Sequence, residues 1–340
     1  MRRATTALGF LATCLLSFAC GGTATDTNGE GGSSSTGSGG SGSTGSTSTT
    51  DSSSSSTGST STSGSTSTSG STSTSGTGGS SGCTLTADTT QTSAVSSSGC
   101  HVLDRDTSAC EAARTAQGLS GFWLKMSCRV TLSATTENGV AVVKAEIDEQ
   151  PDYESNYFPT SNACHEDYTG AIQNPNYIVA KDTVVEFAQT PAGSGSNFMG
   201  AIVGIALNGV PIFGNFAAPG DDIYQEAKTF DRCGGHPQMN GNYHYHSEPF
   251  SISNDDDAFI GVLRDGSPVY GRKDADGSYP SDLDSTGGHT GTTLDSPSKA
   301  VYHYHVNEQT STNAQSSGQK QWFLTKGGYH NAPAACGACN

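Results

Sequence analysis

Basic side chains are scarce in this chain. Its 340 residues carry 16 Lys and Arg against 32 Asp and Glu, a formal net charge of −16. No basic stripe interrupts that balance. Phosphate binding needs clustered cations, so no nucleic-acid partner is expected. Long apolar runs are missing too: the stretch from about Ala7 to Ala19 is broken by Thr13 and Ser17 and is too short to span a membrane comfortably. Familiar catalytic signatures are also absent, with no G-x-S-x-G elbow, no H-E-x-x-H pair and no phosphate loop. Whether the protein is an enzyme is left open by the sequence.

What is present begins with an export signal. Arg2 and Arg3 precede the apolar stretch, and Leu15 to Cys20 resembles a bacterial lipoprotein cleavage site. Residues 1–19 are read as the signal peptide and Cys20 as the lipidated residue. That makes the chain a membrane-anchored lipoprotein, periplasmic or at the cell surface. An ordinary secretory signal cleaved near Ala19 is the alternative, and it too places the protein outside the cytoplasm. Loss of Arg2 and Arg3 takes the net charge from −16 to about −18. From residue 21 to 82 the chain is almost wholly Gly, Ser and Thr, so 20–82 is expected to be a disordered linker. A flexible coil of that length spans roughly 45 Å.

Of the ten cysteines, Cys14 leaves with the signal and Cys20 is assigned to lipid. Cys83, Cys100, Cys110, Cys128, Cys164, Cys233, Cys336 and Cys339 remain as disulfide candidates. An even count in an exported domain implies disulfides, with on the order of a hundred pairings open. The Cys336-Gly337-Ala338-Cys339 spacing has no helix after it to activate a thiol, and reads as a disulfide end.

The most informative feature is a duplication. Tyr243-His244-Tyr245-His246 recurs as Tyr302-His303-Tyr304-His305, using four of only nine histidines. Upstream of each lies D-x-x-G-G-H, at Asp231–His236 and Asp284–His289. Further upstream, Gly204–Gly214 aligns without a gap to Gly261–Gly271, each an apolar run, an Asn-Gly or Asp-Gly pair, a proline and a second β-prone run. Such pairs between apolar residues signal hairpins in which both turn residues take positive φ. A hairpin, a G-G-H turn and a Tyr-His-Tyr-His strand therefore occur twice.

These residues resemble the YHYH family of bacterial extracytoplasmic proteins, named for the tetrapeptide. Asn208-Gly209-Val210-Pro211, Gly235-His236-Pro237, Gly288-His289-Thr290 and both tetrapeptides carry the resemblance. It runs from about Gly200 to His305 and extends back to about Val140, where Asn156 to Pro159 looks like a degraded early N-G-x-P stretch. Thr286 stands where the first repeat has Cys233, so a cysteine is not required by both halves. The resemblance implies metal binding more than any catalysis. It divides the ectodomain into a Cys-rich part, 83–135, and a YHYH domain, 136–340, with repeats at about 200–246 and 257–305.

On an extended strand His244 and His246 share one face and Tyr243 and Tyr245 the other, which makes half of a transition-metal site. Adding the turn histidine gives two sets: His236, His244 and His246, then His289, His303 and His305. Three imidazoles leave a fourth position for water or substrate and suit copper or zinc. Asp231 and Asp284 are expected to accept from the distal N–H of the turn histidines. At reference imidazole pKa, metal release is expected below about pH 6. Whether there are one or two ions is not decided. The competing reading is that Tyr and His alternate only to pack a strand, leaving a metal-independent surface module for a protein or glycan partner. A metal-dependent oxidoreductase or hydrolase is the third.

The fold class expected is mainly β, a compact sandwich or double-hairpin barrel with an internal pseudo-twofold repeat, disulfide-bonded. A helix is predicted over Thr107 to Gly118, and strands at Val130–Leu132, Val140–Ile147, Tyr177–Val179 and Thr183–Phe187. Asp274-Ala275-Asp276-Gly277 reads as an ordinary turn, Asp255 to Asp257 as a solvated loop, and His330 as a surface histidine.

Overall fold

The computed structural model describes residues 83, 92–94, 100–103, 107–171 and 173–334. The export segment, Cys20, the Gly/Ser/Thr tract, Cys336 and Cys339 lie outside them. Strands β1 (Thr92–Ala94) and β2 (His101–Leu103) form a small antiparallel ribbon. Helix α1 (Ser108–Ala116) sits where the sequence predicts it, and Gly118 at φ 80° takes the left-handed conformation that ends it. Arg114 is buried, and its guanidinium donates to the carbonyls of Met126, Ser127 and Val130, three acceptors that replace water around the charge. The Cys110–Cys128 disulfide clamps the helix to that same segment.

Strands β3 (Thr131–Glu137), β4 (Val140–Ile147) and β5 (Thr183–Ala188) form an antiparallel meander. Its first turn is Asn138-Gly139, at φ 50° and 82°, the two-residue hairpin in which both positions are left-handed. Tyr177–Val179 is not a strand, contrary to expectation. The Ile178 and Val179 amides donate singly, to the carbonyls of Tyr157 and Gly241, and never enter a ladder.

The duplicated segment builds one eight-stranded sheet. The first repeat supplies β6 (Ile202–Ala206), β7 (Pro211–Phe213), β8 (Gly235–Pro237) and β9 (Tyr243–Tyr245), with a four-residue helix α2 (Ile223–Glu226) after β7. The second supplies β10 (Phe259–Leu263), β11 (Pro268–Tyr270), β12 (Gly288–Thr293) and β13 (Ser296–His305). The spatial order β12-β13-β11-β10-β6-β7-β9-β8 reads identically inward from either edge. Its pseudo-twofold falls between Ile205 and Val262, which pair directly across β6 and β10. β14 (Asn307–Thr310) and β15 (Lys320–Phe323) close the described chain as a separate hairpin. The sheet is open, ending in β12 and β8, so the barrel alternative is wrong and a sandwich stands.

Central strands β6 and β10 are buried on both faces, which is why they read as continuous apolar runs. Ile205, Phe259 and Val262 join Val143, Val185, Phe187 and Trp123 of the meander side in one core. Val203, Ala206, Ile260 and Leu263 face the other core, which holds Tyr153, Tyr157, Tyr243, Tyr245 and Tyr304. The hairpins differ from expectation in one respect: Gly209 (φ 86°) and Gly266 (φ 80°) are left-handed, whereas Asn208 and Asp265 are not. Ala206 N–H donates to Val210 and Leu263 N–H to Ser267, so each loop has three residues with glycine last.

That turn geometry frees the Asn and Asp side chains to hold tyrosines. Asn208 Nδ2 donates to Tyr245 Oη (3.1 Å), and Tyr304 Oη donates to Asp265 Oδ2 (2.7 Å). Tyr153 Oη bonds both Tyr243 and Tyr245, each at 2.8 Å. Tyr243 donates to Asp231 (2.6 Å) and Tyr302 to Asp284 (2.9 Å). Each G-G-H turn needs both glycines for distinct reasons. Gly234 and Gly287 are left-handed, at φ 97° and 85°. A Cβ on Gly235 or Gly288 would lie 2.4 or 2.5 Å from the hydroxyl of Tyr243 or Tyr302. Two further disulfides, Cys83–Cys164 and Cys100–Cys233, staple the N-terminal part to this core. Thr286, opposite Cys233 in the repeat, spends its hydroxyl on Asp284 and Tyr302.

Candidate metal centres

The three histidines of each repeat meet because two pairing rules coincide. His236 on β8 lies directly opposite His244 on β9, and His289 on β12 directly opposite His303 on β13. His246 and His305 sit two residues further along, on the same face. Phe213 stacks on His244 with ring centroids 3.8 Å apart, and its repeat equivalent Tyr270 meets His303 edge-on at 5.5 Å. All five of His236, His244, His246, His303 and His305 are buried, while His289 is partly so.

Hydrogen bonds decide which ring nitrogen carries the proton. His244 Nδ1 meets the Asn242 carbonyl (3.0 Å), His246 Nδ1 that of Gly214 (2.6 Å), His303 Nδ1 that of Val301 (3.0 Å) and His305 Nδ1 that of Gly271 (2.8 Å). A carbonyl can only accept, so these Nδ1 atoms are N–H. Thr229 Oγ1 donates to the Glu226 carbonyl and so accepts from His236 Nδ1 at 2.7 Å. His289 Nδ1 faces the Asp282 carboxylate at 2.7 Å.

On the five buried histidines Nε2 is therefore left as a bare lone pair, and in each centre the Nε2 atoms converge. His244 and His246 Nε2 are 3.0 Å apart, and His289 and His303 Nε2 are 3.1 Å apart. With Nδ1 of both His244 and His246 protonated, the contact between those two has no proton to share. Asp274 Oδ1 adds a further acceptor, 3.0 Å from His289 Nε2, 3.2 Å from His305 Nε2 and 3.8 Å from His303 Nε2. Buried His236 Nε2 has no hydrogen-bond partner, and His305 Nε2 meets Asp274 without hydrogen-bond alignment. In each centre the ligand atoms all lie within 4.8 Å of one another. A tetrahedral ion with metal–nitrogen bonds of about 2.0–2.1 Å sets its ligands about 3.3 Å apart. The clusters match that scale, and both could hold a metal ion.

Burial favours the neutral form of the five buried imidazoles. It pushes His236 and His244 well below the usual range, with neighbouring imidazoles adding to the effect. His246 and His303 are each lowered to about 4, by burial first. Burial also lowers His305, against the opposing pull of the Gly271 carbonyl and Asp274. The release expected near pH 6 rested on solvated imidazole, and it moves down accordingly.

Two further expectations need correction. Asp231 does not orient His236: it accepts from Ser155, Tyr243 and the Cys233 and Gly235 amides, as a fully buried turn and tyrosine anchor. Asp284 likewise accepts from Thr286, Tyr302 and the Gly288 amide, and the histidine beside it is His330, at 3.0 Å, not His289. His330 stacks on Tyr302 and takes no place in the cluster. Thr229 and Asp282 fill the role assigned to those aspartates. Asp274 reads from sequence as an ordinary turn residue, yet its carboxylate lies against the second cluster. Its signal was extension of the gap-free hairpin alignment past Gly271, which sets Asp274 opposite Ala217.

Residues 201–280 match the family model described as YHYH protein. The chain carries a YHYH domain. The matched stretch contains the whole first repeat and the second repeat up to the Asp274 loop, and the second tetrapeptide lies beyond it. No match was found among curated proteins or among solved structures. The disulfides and the YHYH match together point to an exported protein.

Proposed function

We propose that this protein binds two transition-metal ions, copper or zinc, one in each half of its YHYH domain. The ligands are His236, His244 and His246 in the first centre, and His289, His303, His305 and Asp274 in the second. One observation carries the reading: the buried, tautomerically fixed imidazoles of His244 and His246 aim unprotonated Nε2 atoms at one another 3.0 Å apart, and the second repeat gathers His289, His303 and His305 in the same arrangement. Lone pairs gathered out of water repel, and a shared cation turns that repulsion into bonding. Packing alone gives no reason to collect them.

The adhesive alternative loses its principal surface here, since Tyr243, Tyr245 and Tyr304 are at most 1 % exposed. The export signal and Cys20 support a lipid-anchored location outside the cytoplasm, with the Gly/Ser/Thr tract holding the domain away from the membrane. Elemental analysis of the purified chain tests the metal reading. Wild type should carry two equivalents, His244→Ala and His303→Ala one each, and the double variant none. A metal-free wild type after exposure to both copper and zinc would overturn it.

A further inference from the structure

The two centres are built alike but do not end alike. In the gap-free alignment, Gly214-Asn215-Phe216-Ala217 corresponds to Gly271-Arg272-Lys273-Asp274. The second repeat thus supplies a carboxylate oxygen, within 3.0 to 3.8 Å of all three Nε2 atoms, where the first supplies a methyl group. Beyond that point the loops diverge: Gly277 N–H donates to the Asp274 carbonyl, whereas in the first repeat Asp221 N–H donates to Ala218, one position further on, and the chain continues into α2.

What replaces the carboxylate is space. A cavity of about 660 Å³ opens over His236, His244 and His246, walled by Phe198, Phe213, Phe216, Ala217, Pro219 and Met239. Gln238, Asn174 and Glu226 add a few polar groups. Volume and lining suit a small organic molecule: apolar walls with sparse polar groups that fix orientation. Met239 and Phe216, 83 % and 47 % exposed, form an apolar mouth to it. Four protein ligands close a metal site, whereas three leave a position for an outside donor.

We propose, resting on the metal reading above, that the second centre is a closed four-ligand site and the first an open one. The open centre takes a small, largely apolar molecule whose single nitrogen or sulfur donor completes the metal's coordination. Asp274 and its counterpart Ala217 set the division.

Cobalt(II) loading of the purified full-length chain tests this, because cobalt absorption reports coordination directly. Imidazole and 4-phenylimidazole serve as probes with the same donor and different apolar bodies. Two cobalt ions should bind, and 4-phenylimidazole should alter the spectrum of one, about ten- to a hundredfold more tightly than imidazole because its ring enters the cavity. The response should persist in His303→Ala, which keeps the first centre alone. It should vanish in Ala217→Asp with both cobalt ions retained. Ala217→Leu, which adds bulk without a ligand, should keep cobalt and weaken 4-phenylimidazole at least tenfold relative to imidazole, and decides the matter should Ala217→Asp not fold. Asp274→Ala should make the second cobalt respond to imidazole. Equal affinity for the two probes, a response lost in His303→Ala, or one untouched in both Ala217 variants would overturn the proposal while leaving the metal reading intact. A wild type that takes up no cobalt, copper or zinc would overturn both.

Discussion

Acidification separates a buried three-histidine centre from a solvated one by four orders of magnitude. At the reference pKa of about 6.5, lowering pH from 7 to 5 protonates an imidazole enough to weaken its metal bond about 25-fold. Three such ligands acting together lose about 10⁴ in apparent affinity. In the first centre His246 is lowered to about 4, and His236 and His244 stand well below the usual range. At about 4, the position of His246, the same step costs about 1.1-fold, and His236 and His244, held well below the usual range, should likewise lose little. The sign follows from burial: the folded protein disfavours the imidazolium, so the metal-binding form persists until pH falls through about 4. The measurement is zinc affinity by competition with a pH-calibrated chelator, made on His303→Ala so that only the first centre is read. Weakening beyond a thousandfold between pH 7 and 5 would mean that these imidazoles titrate as if in water, and would refute the burial argument.

Other outcomes follow from single contacts. Asp231→Ala strands two hydroxyls and two amides in a dry site and should cost about 3–5 kcal/mol in urea denaturation. Asp284→Ala, at a carboxylate 36 % exposed, should cost about 1–2 kcal/mol in the same assay. Gly261→Ala should destabilise by about 2 kcal/mol or more, because the new Cβ would sit 2.2 Å from the Ile205 carbonyl oxygen; a neutral result would show that the central β6–β10 pair can shift. Replacing Cys100 by Ala and Cys233 by Thr opens a disulfide spanning 133 residues and should cost about 3–5 kcal/mol; Thr286 already serves the equivalent turn of the second repeat through hydrogen bonds instead of a disulfide.

Much of this architecture was legible from order alone. A repeated hairpin, turn and tetrapeptide required a pseudo-twofold, and period-two alternation put His244 and His246 on one face and their tyrosines on the other. Those are local properties of an extended chain, and they survive whatever the chain packs against. Side-chain partnership is another matter. Asp231 and Asp284 lie five residues before their turn histidines, yet they serve tyrosines, because the G-G turn curls the carboxylate toward the face opposite the imidazoles. Asp282 and Thr229 reach the histidine Nδ1 atoms from positions with no shared pattern.

The amino-acid order by itself determined that imidazoles would come in two matched triplets, since strand geometry and duplication depend only on neighbours in the chain. Only the tertiary structure decided that one triplet gains Asp274 and the other a cavity. That outcome depends on which residues each loop brings over the sheet, and on how much water the surrounding walls exclude. It also decided that the five buried histidines are held below their solution pKa, because desolvation is a property of the packed interior and has no counterpart in the extended chain.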